Sequence, residues 1–200
     1  MSSPYPALGA MLAALALAGA GCGGPGEQAS GATALLTLEG RSVDPLRELA
    51  GGIGVFLFTR TDCPISNRYA PEVRRLYERF AGRGVSFRLV YVDPDQDAAE
   101  IREHLAEFGY PMPALRDPGH ALVALAGARV TPEAAVFAPR GAAPELVYRG
   151  RIDDWYVSFG KSRRQPSSRD LEDALEAILA GEPVPRARTR AVGCFIADLS

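Results

Sequence analysis

The chain has few of the residues from which metal centres are built. Three cysteines and two histidines are scattered through 200 residues, as Cys22, Cys63, Cys194, His104 and His120, and they offer no tetrahedral zinc set. Charge of either sign is not in excess. The formal net charge is −2, which gives no reason to expect nucleic acid as a partner. The basic run Lys161, Arg163, Arg164 reads as a solvated loop. The N-terminal apolar run, Leu8 to Ala20, is 13 residues of Leu, Ala, Met and Gly, short of the roughly 20 that a spanning helix needs. No internal repeat is visible. What is present, 47% apolar and 23% charged residues, suits one ordinary globular domain of roughly 150 residues with a single core.

The N-terminal run reads as the core of a secretory signal. Ala18-Gly19-Ala20-Gly21 then lead to Cys22 inside a Gly-rich stretch that runs to Gly31. This resembles a bacterial lipoprotein signal, in which the cysteine becomes the lipidated first residue. It departs from that pattern in having Gly19 where a large aliphatic residue is usual and no Lys or Arg ahead of the apolar run. Ala18-x-Ala20 equally fits ordinary signal cleavage. The expected division is residues 1–22 as signal, 23–33 as linker, 34–181 as the folded domain and 182–200 as a tail carrying Cys194. The domain is then exported, either held at the periplasmic face by a lipid on Cys22, its only membrane contact, or released. Outside the cytoplasm disulfides persist, so Cys63 and Cys194 are a structural pair, a redox pair or two free thiols.

Leu35–Leu38 reads as a short first strand, followed by a short amphipathic piece, Leu46–Leu49. Val55–Phe58 is a continuous apolar run bounded by glycine, the pattern of a strand buried on both faces. Val73, Leu76, Tyr77 and Phe80 then recur at helical spacing behind Pro71, so Cys63 falls where a central strand passes into a helix. Val85–Val92 is a second strand and Ala98–Phe108 a second helix, with Ile101, Leu105 and Phe108 on one face. Strand, helix, strand, helix implies a parallel sheet with right-handed crossovers. Pro111–Leu115 reads as an extended connection and Ala121–Ala126 as a short helix. Ala134–Phe137 and Leu146–Tyr148 flank a turn at Pro139-Arg140-Gly141, as in a hairpin. Arg151–Ser168 is polar and irregular. A last helix is expected from Ser168, as N-cap, to Leu179, with Leu171, Leu175 and Ile178 inward.

This order of elements, with Thr61-Asp62-Cys63-Pro64-Ile65-Ser66 closing the central strand and Val130-Thr131-Pro132 before the hairpin, resembles the thioredoxin-like superfamily and its redoxin and peroxiredoxin-like (AhpC/TSA-related) branch. The similarity covers about residues 35 to 180. Asp62–Pro71, Tyr148–Asp154 and Gly193-Cys194 resemble a bacterial lipoprotein subgroup of these redoxins. The resemblance implies an α/β thioredoxin-like fold, a central mixed sheet flanked by helices. It also implies a cis-proline at Pro132 opposite Cys63, with Thr131 and Pro132 as the edge where a thiol or disulfide partner binds.

A thiol at a helix N-terminus meets unpaired N–H groups and the positive end of the helix dipole, which favour thiolate; the adjacent Asp62 works against this unless it points away. The resemblance makes Cys63 the nucleophile of a thiol-disulfide oxidoreductase. It would place a second cysteine at position 66, and Ser66 stands there, so no local CxxC disulfide can form. Cys194 is then a candidate resolving thiol, since the 14 residues from Ala180 span on the order of 45 Å when extended. Alternatively Cys63 forms mixed disulfides with a protein or small thiol, while the Ser66 hydroxyl hydrogen-bonds its thiolate. An atypical peroxidase is a further alternative, although the peroxiredoxin PxxxTxxC pattern fails at Phe56 and Arg60. No cofactor is expected; the metal alternative is a copper- or partner-binding module using Cys63, Cys194 and His120. His104 reads as a surface or packing residue and His120 as a turn or capping residue. Arg149, Arg151, Asp153, Asp154, Trp155 and Tyr156 either line a partner groove or form an ion-paired loop at the sheet edge, and Arg68 and Tyr69 either flank the thiol or lie on the helix surface.

Overall fold

A computed structural model describes residues 33–141 and 143–197. The apolar segment Leu8–Ala20 and Cys22 lie outside the described residues.

In chain order the strands are Leu35–Thr37 (β1), Ser42–Val43 (β2), Ile53–Thr59 (β3), Val85–Tyr91 (β4), Ala114–Arg116 (β5), Val130–Thr131 (β6), Glu133–Arg140 (β7), Ala143–Gly150 (β8), Tyr156–Ser158 (β9), Lys161–Ser162 (β10) and Cys194–Phe195 (β11). The helices are Pro64–Arg68 (α1), Ala70–Phe80 (α2), Ala98–Glu107 (α3), Ala121–Ala126 (α4) and Asp170–Ala180 (α5). Seven strands form one sheet in the order β2-β1-β5-β4-β3-β7-β8. The inner strands β3, β4 and β5 are parallel, and β7 and β1 flank them antiparallel. β9 and β10 pair in a small hairpin, and β11 pairs with β6.

The unbroken apolar run of β3 follows from cover on both faces. Val55 and Leu57 pack with Val73, Leu76 and Phe80 of α2, Ile101 of α3 and Leu171 and Leu175 of α5. Phe56 and Phe58 point the other way, onto Leu122 and Val123 of α4. Successive strand residues serve opposite layers, so neither layer leaves a polar position in the run Val55–Phe58. Phe80 is fully buried, and truncating such a side chain to alanine costs about 3–5 kcal/mol.

The structure departs from the sequence expectations at three places. The segment read as an extended connection ends in a true strand, β5, paired with β4 in the register Leu89↔Ala114; at three residues it is too short to show a period. Arg151–Ser168 is not wholly irregular, since it holds the β9–β10 hairpin. Ser168 does not cap α5, which starts at Asp170 with Arg169 as its N-cap. The Ser168 hydroxyl donates to Asp170 Oδ2 (2.7 Å), and its N–H to Asp154 Oδ1 (2.9 Å). Asp170, Glu172 and Asp173 in the first turn supply the negative charge that a helix start favours.

Candidate active site

Cys63 follows the end of β3 by four residues and is the N-cap of α1, with extended backbone (φ −83°, ψ 107°). Pro64 opens the helix, where no N–H is needed, and the Ser66 N–H donates to Cys63 Sγ at 3.5 Å. The turn before Cys63 is held from below. Asn67 Nδ2 donates to the Thr61 carbonyl (2.8 Å), and Gln96 Nε2 to the Thr61 hydroxyl (2.7 Å). Asn67 Oδ1 faces His104 Nε2 (2.9 Å), and His104 Nδ1 faces the Tyr91 hydroxyl (2.8 Å). With Asn67 oriented in this way, the imidazole donates from Nε2 and accepts from Tyr91. His104 is therefore a buried link between the sheet and the cysteine turn, and burial pushes its pKa down. Asp62 extends into solvent and pairs with Arg60 (3.0 Å), which also holds Asp93 (2.9 Å).

The other wall of the site comes from far along the chain. Cys194 of β11 is paired with Thr131 of β6, antiparallel, and Phe195 with Val130. The Thr131–Pro132 peptide bond is cis. The pairing places Cys194 Sγ 2.9 Å from Cys63 Sγ, while the Thr131 carbonyl lies 3.0 Å from Cys63 Sγ. Both thiols are free, with Cys63 buried and Cys194 half-buried. Upstream, the tail is fastened to the end of β8. The Arg149 N–H donates to the Ala187 carbonyl (3.0 Å), the Thr189 N–H donates to the Arg149 carbonyl (3.1 Å), and the Thr189 hydroxyl meets the Tyr148 hydroxyl (2.9 Å). Downstream, Ile196 is buried on the α4 side of the sheet.

Two glycines let the tail come this close. A Cβ on Gly193 would stand 2.1 Å from the Thr131 carbonyl oxygen, and one on Gly150 would stand 2.6 Å from the Thr189 carbonyl oxygen. Neither contact is one a side chain could occupy without moving backbone.

The two sulfurs hold one proton unequally. Burial works to raise the Cys63 pKa, but the Cys194 thiol, the hydroxyl and N–H of Ser66 and the side-chain hydroxyl of Thr131 outweigh it, and Cys63 ionises below its ordinary value. Burial, reinforced by the neighbouring Cys63 sulfur, pushes Cys194 up to about 12. The ionised pair is thus a Cys63 thiolate accepting from a Cys194 thiol. The Ser66 hydroxyl, buried and without a partner in the neutral pair, is available to that thiolate.

His120 is not brought to the sulfurs. It precedes α4 with a left-handed backbone (φ 55°), and its Nε2 lies 2.8 Å from the Val92 carbonyl. Among the described residues no three His, Cys, Asp or Glu side chains gather as a metal-holding group. Tyr69 packs edge-on against Trp155 (5.4 Å) and donates to Asp153 Oδ1 (2.6 Å), with Arg68 over the Trp155 ring (5.0 Å). Arg149, Arg151, Asp154 and Tyr156 instead line a groove of ≈ 1060 Å³ that Cys194 also borders. The roles of Gly193, Gly150, Asn67 and His104 were not apparent from the sequence. A glycine directly before Cys194 was the one available signal of a close backbone approach.

A cysteine capping the helix after a central parallel strand, faced by a short edge with a cis-proline, on this mixed sheet, is the arrangement of a thioredoxin-like redoxin. The chain belongs to the AhpC/TSA family, which residues 25–144 match. It is similar to the thiol-disulfide oxidoreductase ResA of Halalkalibacterium halodurans, 32% identical over 96 residues that make up 48% of this chain and 52% of that protein. The chain therefore spans about half the length of this curated relative. Among solved structures it is similar to an uncharacterized conserved protein from Geobacillus kaustophilus, at 27% identity and TM-score 0.69, covering 82% of this chain and 86% of that one. A hypothetical protein from Sinorhizobium meliloti 1021 shares the fold at 22% identity and TM-score 0.67, over 82% of this chain and 88% of that one.

Proposed function

We propose that the chain is an exported thiol-disulfide oxidoreductase in which Cys63 is the nucleophile and Cys194 its resolving partner. The observation that carries this reading is the 2.9 Å approach of the two sulfurs, held by main-chain pairing of Cys194 with Thr131. Without a cysteine at position 66, the chain supplies the second thiol from its own tail. Oxidation joins the two sulfurs and passes two electrons and two protons to a disulfide partner; reduction returns them. The lowered Cys63 pKa supports its role as attacking and leaving thiolate. The resemblance to ResA supports the same activity, and the apolar segment Leu8–Ala20, with Cys22 after it as a lipid attachment point, supports export.

The test is oxidation of the reduced full chain with a disulfide reagent, followed by alkylation and mass measurement. The expected result is loss of both the Cys63 and Cys194 alkylation sites without a change in chain number, abolished in Cys63→Ser and in Cys194→Ser. Retention of both free thiols in the wild-type protein under that treatment would remove the proposal.

A further inference from the structure

The groove beside Cys194 has a composition that the redox pair alone does not call for. Six arginines line it, Arg129, Arg149, Arg151, Arg163, Arg188 and Arg190, against two carboxylates, Glu133 and Asp154. Three of the six are engaged: Arg149 with Glu133 (3.4 Å), Arg151 with Asp170 (2.7 Å) and Arg163 with Asp154 (3.2 Å). Arg129, Arg188 and Arg190 are exposed and form no ion pair among the described residues. The groove therefore carries uncompensated positive charge, which attracts an anionic partner and speeds its encounter.

Its rim is apolar. Phe159 and Phe195 are 71% and 82% exposed and Val157 47%, and large exposed apolar side chains next to charge mark a polypeptide-binding surface more than a small-ion site. Cys194 borders the groove, whereas Cys63 is only 1% exposed and does not. A partner lying in the groove reaches the Cys194 sulfur first.

We propose that the groove binds an acidic, cysteine-bearing segment of a partner polypeptide, and that this partner exchanges sulfur with Cys194. The proposal rests on the redox pairing of Cys63 and Cys194 put forward above and concerns oxidation of the partner, the direction in which Cys63 is the leaving thiolate. Starting from the Cys63–Cys194 disulfide, the partner thiolate attacks Cys194 Sγ; a partner–Cys194 bond forms, the Cys63–Cys194 bond breaks, and Cys63 leaves as thiolate. A second partner thiolate then attacks the partner sulfur of this mixed disulfide. The partner is released as a disulfide, Cys194 takes up a proton, and the two electrons reside on the reduced pair. If no second partner thiolate arrives, the Cys63 thiolate attacks Cys194 Sγ of the mixed disulfide, re-forms the Cys63–Cys194 bond and releases the partner thiolate. The lower-pKa thiol is the better leaving group, so the acidity of Cys63 favours attack of the partner at Cys194.

The experiment uses the oxidised full chain and three synthetic peptides, each with one cysteine flanked by Asp and Glu, by Asn and Gln, or by Lys. Sodium 2-mercaptoethanesulfonate serves as a small anionic thiol. Rates are compared at equal thiolate concentration, and the mixed disulfide is trapped by acid and located by mass spectrometry. The expected result is an adduct on Cys194, and an acidic peptide that reacts on the order of tenfold faster than the lysine peptide at low salt. That preference shrinks as salt is added and is lost in Arg129→Glu/Arg190→Glu, whose folding is checked by circular dichroism. An adduct on Cys63, equal rates for the three peptides, or a preference untouched by salt and by the double variant would overturn the proposal. So would a sulfonate thiol that gains as much as the acidic peptide, because a small anion would then be the occupant. If no Cys63–Cys194 disulfide forms in the starting material, it is the redox pairing that has failed; a disulfide that forms and reacts without charge preference overturns the groove assignment alone.

Discussion

Gly193 lies against Thr131 so closely that a single added methyl group at position 193 would stand 2.1 Å from the Thr131 carbonyl oxygen. The main chain of the tail and the main chain of β6 are thus in direct contact one residue before Cys194 pairs with Thr131, and the position of the second sulfur depends on a missing side chain.

Gly193→Ala is expected to lift β11 from β6 and separate the sulfurs. Formation of the intramolecular disulfide at a fixed oxidant concentration should slow by at least about tenfold, because the proximity of the two groups is lost. Cys63, no longer covered, should at the same time become quicker to alkylate when compared at a pH where it is fully ionised, since loss of the Cys194 contact also raises its pKa. Timed alkylation with mass detection reads both. An unchanged rate of disulfide formation would mean that the tail reaches Cys63 by another route.

In the reduced Cys22→Ser protein, thiolate absorbance at 240 nm should titrate in two well-separated steps once the tyrosine contribution, read from the same protein carrying Cys63→Ser and Cys194→Ser, is subtracted. The first belongs to Cys63 and lies below its ordinary value; the second belongs to Cys194, near 12. Cys194→Ala removes the strongest of the groups that lower the Cys63 pKa, so the remaining step should move upward. A step that stays in place would show that Cys194 does not donate to the thiolate.

Ser66→Ala separates the hydroxyl of Ser66 from its N–H. The buried hydroxyl has no partner in the neutral pair, so its removal should change folding stability by less than about 1 kcal/mol. The Cys63 pKa should nevertheless rise, because the Ser66 side chain is among the groups that lower it. Urea unfolding together with the 240 nm titration tests both halves, and an unchanged pKa would leave the N–H as the only contribution of Ser66.

His104→Leu should destabilise the fold by about 2–3 kcal/mol, because Asn67 Oδ1 and the Tyr91 hydroxyl lose their partner inside the protein. The imidazole also sets a pH dependence. Its folded pKa is lowered, so the unfolded chain takes up the proton more readily. The contribution of His104 is whole above the unfolded value of about 6.5, declines as pH falls below it, and levels off at the lower folded value. Denaturant midpoints of the wild type should fall between neutral and mildly acidic pH more steeply than those of the variant. Parallel curves would place the protonation elsewhere.

How far the sequence disclosed this arrangement depended on whether the information was local. Val55–Phe58 and the Val73, Leu76, Phe80 spacing are local patterns, and they gave β3 and α2 and hence the placement of Cys63 between them. Ser168 looked like a cap because serine often is one, but its hydroxyl is taken by Asp170 and its N–H by Asp154, a competition settled by the fold of the 151–168 segment. His104 lies mid-helix beside Leu105, and nothing in its neighbours reveals that Asn67 and Tyr91 converge on it. The approach of Cys194 to Cys63 spans 131 residues. Chain length permitted that contact, whereas Gly150, Thr189 and Gly193 determine it; Gly150 and Gly193 fall in segments that resemble the redoxin subgroup, but nothing local to them tells which backbone they approach.

The course of the tail past Arg149 has a consequence for the behaviour of the protein at high concentration. β8 is the last strand of the seven-stranded sheet, and the tail takes up both the N–H and the carbonyl of Arg149 on its outer side. An uncovered strand margin is a template on which a second molecule can add. Residues 187–189 cap that margin where it meets the groove, and the same run of chain that carries Cys194 thereby also guards the protein against sticking to itself.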